Sequence, residues 1–251
     1  MRDQPPQQPP PVLRLRVRYA KRGRMRFASH RDFSRAFERA VVRGRIPMAY
    51  SSGFHPHPRI SYAGAAPTGA ASEAEYLEIG LAEALDAEQV RISLAGSLPE
   101  GLDVLQVVEA RPGSLADLLG YSRWRIELSA PEADASRAVR RFLATTSVPV
   151  RRMTKRGERE FDCRAAVVEL AVAPAAHGSG DPAPGARTVL DIVLRHAEPA
   201  VRPDDVLAGM REVSGFDPGG APLLTRLAQG PWDEATRQVA DPFAAESGPG
   251  S

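Results

Sequence analysis

Arg31, Arg35, Arg39 and Arg43 stand four residues apart. On an α-helix that spacing places them on one slanted stripe. Guanidinium groups grip phosphates with paired N–H donors, and a row of them suits a polyanion better than one small ligand. Arg45, Arg59 and the alternating Arg14, Arg16 and Arg18 enlarge the basic inventory. The plain alternative is neutralisation, with Arg35 paired to Glu38 and the others solvated or met by Glu73, Glu75 and Glu78.

The segment 50–59, Tyr-Ser-Ser-Gly-Phe-His-Pro-His-Pro-Arg, is the second concentration of chemistry. Pro56 and Pro58 force extended geometry on His55 and His57, and Gly53 permits a tight backbone. Alternation then sets both imidazoles on one side of the chain. With His30, three of the five histidines fall between positions 30 and 57. Four readings stay open. The imidazoles could hold a metal; His30 or His57 could act as general acid or base on RNA; His30 and His57 could make structural hydrogen bonds while Phe54 packs; or His55, His57 and Arg59 could form a ligand-binding loop beside the arginine stripe. No Asp, Glu or His at standard spacing completes a metal site, so no metal or other cofactor is expected.

A third island runs from Arg151 to Arg164. Lys155, Arg156 and Arg159 make it a secondary basic turn around Gly157, but its charges are mixed and a cross-strand ladder of ion pairs explains it equally. Cys163 is the one cysteine. It excludes an intrachain disulfide, a CxxC pair and a multi-cysteine zinc or iron–sulfur site held by this chain alone. Nothing local marks a stabilised thiolate, so a buried, inert thiol is expected. There is no P-loop, GxGxxG, HExxH or GxSxG motif.

The elements that position these groups follow from hydrophobic period. Residues 12–19 alternate Leu13, Leu15 and Val17 with Arg14, Arg16 and Arg18, predicting a half-buried strand with a basic outer face. Ser29 opens a helix, with Asp32 three residues on as a short capping-box partner. Phe33, Phe37 and Val41 give that helix its core face, and Gly44 and Pro47 end it. Strands at 60–63 and 76–81, a helix at 87–98 and a strand at 104–110 complete the order β-α-β-β-α-β. The second half repeats the order. A strand at 124–128 leads to a helix at 134–145. A strand pair at 164–173 and 188–194 flanks an Ala/Gly/Pro-rich loop over 174–185. A helix at 203–213 carries Asp204 and Asp205 in its first turn, where the macrodipole favours acids, and a strand at 223–227 closes the plan. The expected fold is therefore α+β, with two ferredoxin-like units in tandem. The expected boundaries are a disordered leader over 1–11, domains at 12–113 and 114–232, and a disordered tail over 233–251.

The chain has 251 residues, 43% apolar and 25% charged, enough for a packed core. No run reaches about 18 apolar residues, which excludes a membrane-spanning helix. The N-terminus lacks the apolar run of a secretory signal, so a cytoplasmic location is expected. Net charge is only +2, but residues 1–70 carry 14 Lys+Arg against 3 Asp+Glu and the remainder carries −9. One part of the molecule can thus project a positive field while the rest repels polyanions.

The stretch 19–79 resembles the radical-SAM-linked, or radical-SAM-associated, domain family of unknown function. The resemblance rests on Ser29-His30, on the Tyr50 to Pro58 loop, on the Ser-Glu-x-Glu-Tyr segment Ser72 to Tyr76, and on the basic run Lys155 to Asp162. It covers 13–226, and the far C-terminus has no counterpart, because the family's longer basic tract is replaced here by an acidic tail. The resemblance implies a radical-SAM protein as partner, encoded nearby or fused. It also implies a genomic setting beside an RNase E/G-type ribonuclease and ribosomal-protein genes. With one cysteine, this chain cannot itself carry the three-cysteine cluster motif of a radical-SAM enzyme.

The functional expectation is a non-catalytic accessory module that binds RNA, ribosome-related RNA included, or another phosphorylated substrate. Its site would be Arg31, Arg35, Arg39, Arg43, His55, His57 and Arg59, with no membrane involved. The alternatives are an RNA-processing or RNA-modifying enzyme using His30 or His57, and a protein-binding adaptor docking through the acidic second half or the segment 72–79.

Overall fold

A computed structural model of the chain describes residues 7–154, 157–173 and 187–244. The chain is mixed α+β and divides into two compact units. The first ends at Leu119 and takes in the chain from Asp241; the second is Gly120–Ala240.

In the first unit, β1 (Leu13–Lys21) leads through a short 3-10 turn (Gly23–Phe27) into α1 (His30–Arg43). Then come β2 (Ile60–Ala63), β3 (Ala71–Leu81), α2 (Ala87–Ala95) and β4 (Leu102–Glu109). β1 pairs antiparallel with β3 and with β4, and β2 pairs antiparallel with β3. The strand order is thus β4-β1-β3-β2, the split βαβ arrangement of a ferredoxin-like unit. Leu15, Val17 and Tyr19 on β1 and Leu77, Ile79 and Leu81 on β3 face Phe33, Phe37 and Val41 of α1, with Val90 and Leu94 of α2 in the same core.

The other face of this sheet corrects the sequence reading of β1. A basic outer face is expected there, yet Arg16 is only 1% exposed. It donates from Nε to Glu78 at 3.1 Å and from Nη2 to the carbonyls of Arg111 and Gly113. The physical reason is a second covering layer. Leu115, Leu119 and Phe243 pack with Ala74 and Tyr76 on that face, so the strand is covered on both sides. β3 likewise begins at Ala71 and not near 76, because it carries buried Ser72 and Glu75 that break the apolar pattern.

In the second unit, β5 (Tyr121–Leu128) is followed by α3 (Glu132–Ala144) and a hairpin of β6 (Pro149–Thr154) and β7 (Gly157–Asp162). β8 (Val167–Val172), β9 (Thr188–Arg195), α4 (Pro203–Ser214) and β10 (Leu223–Gly230) complete it. β5 pairs antiparallel with β9 and β10, and β8 with β9, giving the order β10-β5-β9-β8. This is the first unit's plan with one hairpin inserted between helix and strand.

A tail read as loose from 233 onward is instead ordered through its described part. β11 (Trp232–Asp233) pairs with β12 (Gln238–Val239), and Phe243 is fully buried. At the other end, Gln8 donates its backbone N–H to Ser52 Oγ at 2.9 Å, and Val12 donates to the Leu81 carbonyl at 2.8 Å. The expected loop over 174–185, and the outer parts of the expected leader and tail, lie outside the described residues. No helix is long and apolar enough to cross a membrane among the described residues.

Candidate functional site

The arginine row lies on α1. Ser29 caps the helix, its Oγ accepting the Asp32 N–H at 3.2 Å and donating to Oδ2 of Asp32 at 2.7 Å. The hydroxyl contact, then the backbone hydrogen bond and the charges of Arg35 and Arg31, hold the Asp32 carboxyl below its ordinary range. Phe33, Ala36, Phe37, Ala40 and Val41 are the buried positions of the helix. The intervening positions 31, 35, 39 and 43 must therefore face water, and all four arginines are exposed. Among the described residues no carboxylate forms a salt bridge with Arg31, Arg35 or Arg39. Arg43 reaches back to the Ser97 carbonyl at 3.2 Å, which ties the end of the row to the chain beyond α2. A shallow open groove of about 520 Å³ is lined by Arg35, Glu38, Arg39, Val42 and Arg43.

The other arginines of the basic half are largely committed. Arg14 and Arg16 both meet Glu78, and Arg18 Nε donates to the Glu73 carbonyl at 3.1 Å. Arg22 binds both Glu73 and Asp103. The Glu73 hydrogen bond, reinforced by Asp103, holds its guanidinium pKa above the ordinary value. Arg59 donates from Nε to the Tyr50 carbonyl at 3.0 Å and braces the loop beside it.

That loop is a rigid hairpin. Tyr50 bridges Pro58, Ser51 N–H donates to the His57 carbonyl at 2.9 Å, and His57 N–H donates to Ser51 Oγ at 3.0 Å. Gly53 sits at φ 127°, a conformation L side chains rarely adopt, and lets the tip turn. Phe54, His55 and His57 stand exposed; Phe54 is not packed, contrary to one sequence reading.

His30 lies elsewhere. Its ring meets Tyr62 edge-on at 4.9 Å, and Tyr62 also packs on Phe33. Burial raises the Tyr62 phenol pKa. Tyr62, the ring that His30 meets, sits five residues from His57 along an extended segment, ~16 Å. No group of three His, Cys, Asp or Glu side chains converges as a metal set among the described residues.

In the second unit, Lys155 and Arg156 lie outside the described residues, and Arg159 is exposed on β7. The hairpin around them carries opposed charges. Arg151 pairs with Glu160 at 2.8 Å, and Arg152 pairs with Asp205 at 2.5 Å while stacking over Phe161. Cys163 is fully buried, and burial, with Asp162 and Asp205 adding to it, pushes its thiol up to about 12.

The sequence places a turn at 21–24 but gives no sign of the Arg26–Phe27 pair that the 3-10 turn presents. The Arg26 guanidinium lies 4.5 Å from the centroid of the exposed Phe27 ring. The Arg-Met-Arg-Phe run has no helical or strand period.

At the level of class, this is an α+β protein whose first ferredoxin-like unit presents an exposed arginine row on one helix. A family model described as an uncharacterised protein conserved in bacteria, DUF2344, matches residues 14–203. The chain belongs to that family. No curated relative matches it.

Proposed function

We propose that the first unit is a non-catalytic module that binds RNA along the exposed face of α1 and works in the cytoplasm with a radical-SAM protein. One observation carries the reading: among the described residues Arg31, Arg35 and Arg39 form no salt bridge, while the neighbouring Arg14, Arg16 and Arg22 all do. Four-residue steps advance ~6 Å along a helix, so the row meets an extended chain of charges, not a single anion. The groove beside it is shallow and open, which suits a polymer better than an enclosed metabolite. The radical-SAM partner comes from the sequence resemblance. A single cysteine is consistent with that division of labour.

The test is RNA affinity measured against salt for the native chain and for a variant with Arg31, Arg35 and Arg39 changed to Ala. Each lost phosphate contact on a single strand lowers the salt slope by about 0.7, so the triple variant should bind more weakly with a slope reduced by roughly 2. Unchanged affinity and slope would sink the proposal. Purification from the native cell, followed by identification of bound protein and RNA, tests the partner.

A further inference from the structure

Two large aromatic rings in the first unit stand in water. Phe27 is 59% exposed and Phe54 is 62% exposed. Neither belongs to the core, and each stands on a hydrogen-bonded turn. Phe27 ends a 3-10 turn tied down by Gly69 N–H to the Arg26 carbonyl at 2.8 Å and Ala28 N–H to the Met25 carbonyl at 3.0 Å. Arg26 covers one face of its ring and leaves the remainder open. Phe54 tops the hairpin whose backbone Ser51 and His57 lock together.

The register sets these rings at opposite ends of the sheet on which α1 packs. Phe27 follows the end of β1, where Lys21 pairs with Ser72 and Leu102. The hairpin hangs from the opposite end of the sheet, where Leu13 pairs with Leu81 and Arg59 donates to the Ala49 carbonyl. β1 has nine residues between those ends, ~30 Å of strand. α1 returns along that length, starting three residues after Phe27 and ending eleven before Phe54, with its four arginines between.

We infer that Phe27 and Phe54 are stacking platforms for unpaired bases, and that the ligand of the arginine row is single-stranded RNA. The inference rests on the proposed RNA reading and adds the class of RNA. Bases stack on aromatic faces without regard to sequence, while arginines track the backbone. In an A-form duplex the bases are already stacked and paired, and aromatic side chains cannot reach their faces. A surface built only for duplex phosphates needs cations but no exposed rings.

The experiment uses the full chain and two fluorescein-labelled probes of equal length, a twelve-nucleotide oligouridine and an RNA duplex, read by anisotropy at fixed salt. The native chain should prefer the single strand. Phe27→Leu and Phe54→Leu should each weaken single-strand binding about fivefold or more, leaving duplex binding and the salt slope unchanged. The Arg31, Arg35 and Arg39 alanine variant should instead weaken both probes and flatten the slope. If the double leucine variant binds the single strand as the native chain does, while the alanine variant does not, the platforms fall and the arginine row stands. Equal native affinity for duplex and single strand overturns the inference in the same way. Failure of the native chain to bind either probe removes both readings and leaves the exposed rings to a protein partner. Because both phenylalanines are exposed, the leucine variants should fold; unchanged circular dichroism melts check this.

Discussion

Glu78 on β3 neutralises Arg16 directly across the strand pair, its carboxylate 3.1 Å from Nε, with the arginine side chain almost wholly out of water. The same guanidinium holds the carbonyls of Arg111 and Gly113 at 3.2 and 2.7 Å, so one buried charge fastens β3 and the covering segment to β1. Glu78→Ala takes the Glu78 carboxylate away from that buried charge. The expected cost is about 3 kcal/mol, read as a lower urea midpoint with an unchanged m-value. A loss under about 1 kcal/mol, the worth of an exposed pair, would mean that Arg16 does not need Glu78.

Arg16 also marks where sequence stopped being legible. Leu13, Leu15 and Val17 announce β1 through their period, and Phe33, Phe37 and Val41 announce α1, because each set packs on one core. The α+β plan was readable from such patterns. The fate of Arg14, Arg16 and Arg18 was not, because alternation says which residues share a face but not whether distant chain covers it. Here residues 115–119 and Phe243 supply the cover. The row on α1 was readable for the opposite reason: helical spacing from the buried phenylalanines fixes where Arg31, Arg35 and Arg39 point. Phe27 lies in a turn with no period, so nothing in the sequence separated an exposed ring from a packed one.

Phe243 should behave as a core residue despite its polar, Pro- and Gly-rich surroundings. Its ring meets Tyr76 edge-on at 5.3 Å, and the group packs with Leu115 and Leu119. Phe243→Ala should cost about 3–5 kcal/mol. Urea unfolding of the full-length variant measures it. A cost within about 0.5 kcal/mol, typical of a surface site, would restore the picture of a loose tail.

Gly209 is fixed by close approach. A Cβ there would lie 2.7 Å from Cys163 Sγ, 2.9 Å from Val148 Cγ1 and 3.0 Å from Phe142 Cε2. α4 can pack this closely only without a side chain at that position, and all three neighbours are themselves buried. Gly209→Ala should therefore destabilise by about 1–3 kcal/mol, although alanine favours a helix over glycine by about 1 kcal/mol. A thermal melt decides the sign. A higher melting temperature would show that the three neighbours yield freely.

Cys163 makes a pH prediction. Burial first, then the charges of Asp162 and Asp205, raise its thiol from an ordinary 9.0 to about 12. The native thiol is thus neutral through the working range and should not react with Ellman's reagent at pH 8 until the chain is unfolded. The linkage sign follows from which state releases the proton first. Below pH 9 both states hold it, and the thiol contributes its full share of stability. Between about pH 9 and 12 the unfolded chain ionises while the native one does not, so stability falls as pH rises. Cys163→Ala removes this contribution, and its stability should decline less steeply over that window than the native chain's. Parallel urea titrations at pH 8, 9, 10 and 11 compare the two slopes. Identical slopes, or rapid labelling of the folded native protein at pH 8, would show that the thiol is not held in its neutral, buried form.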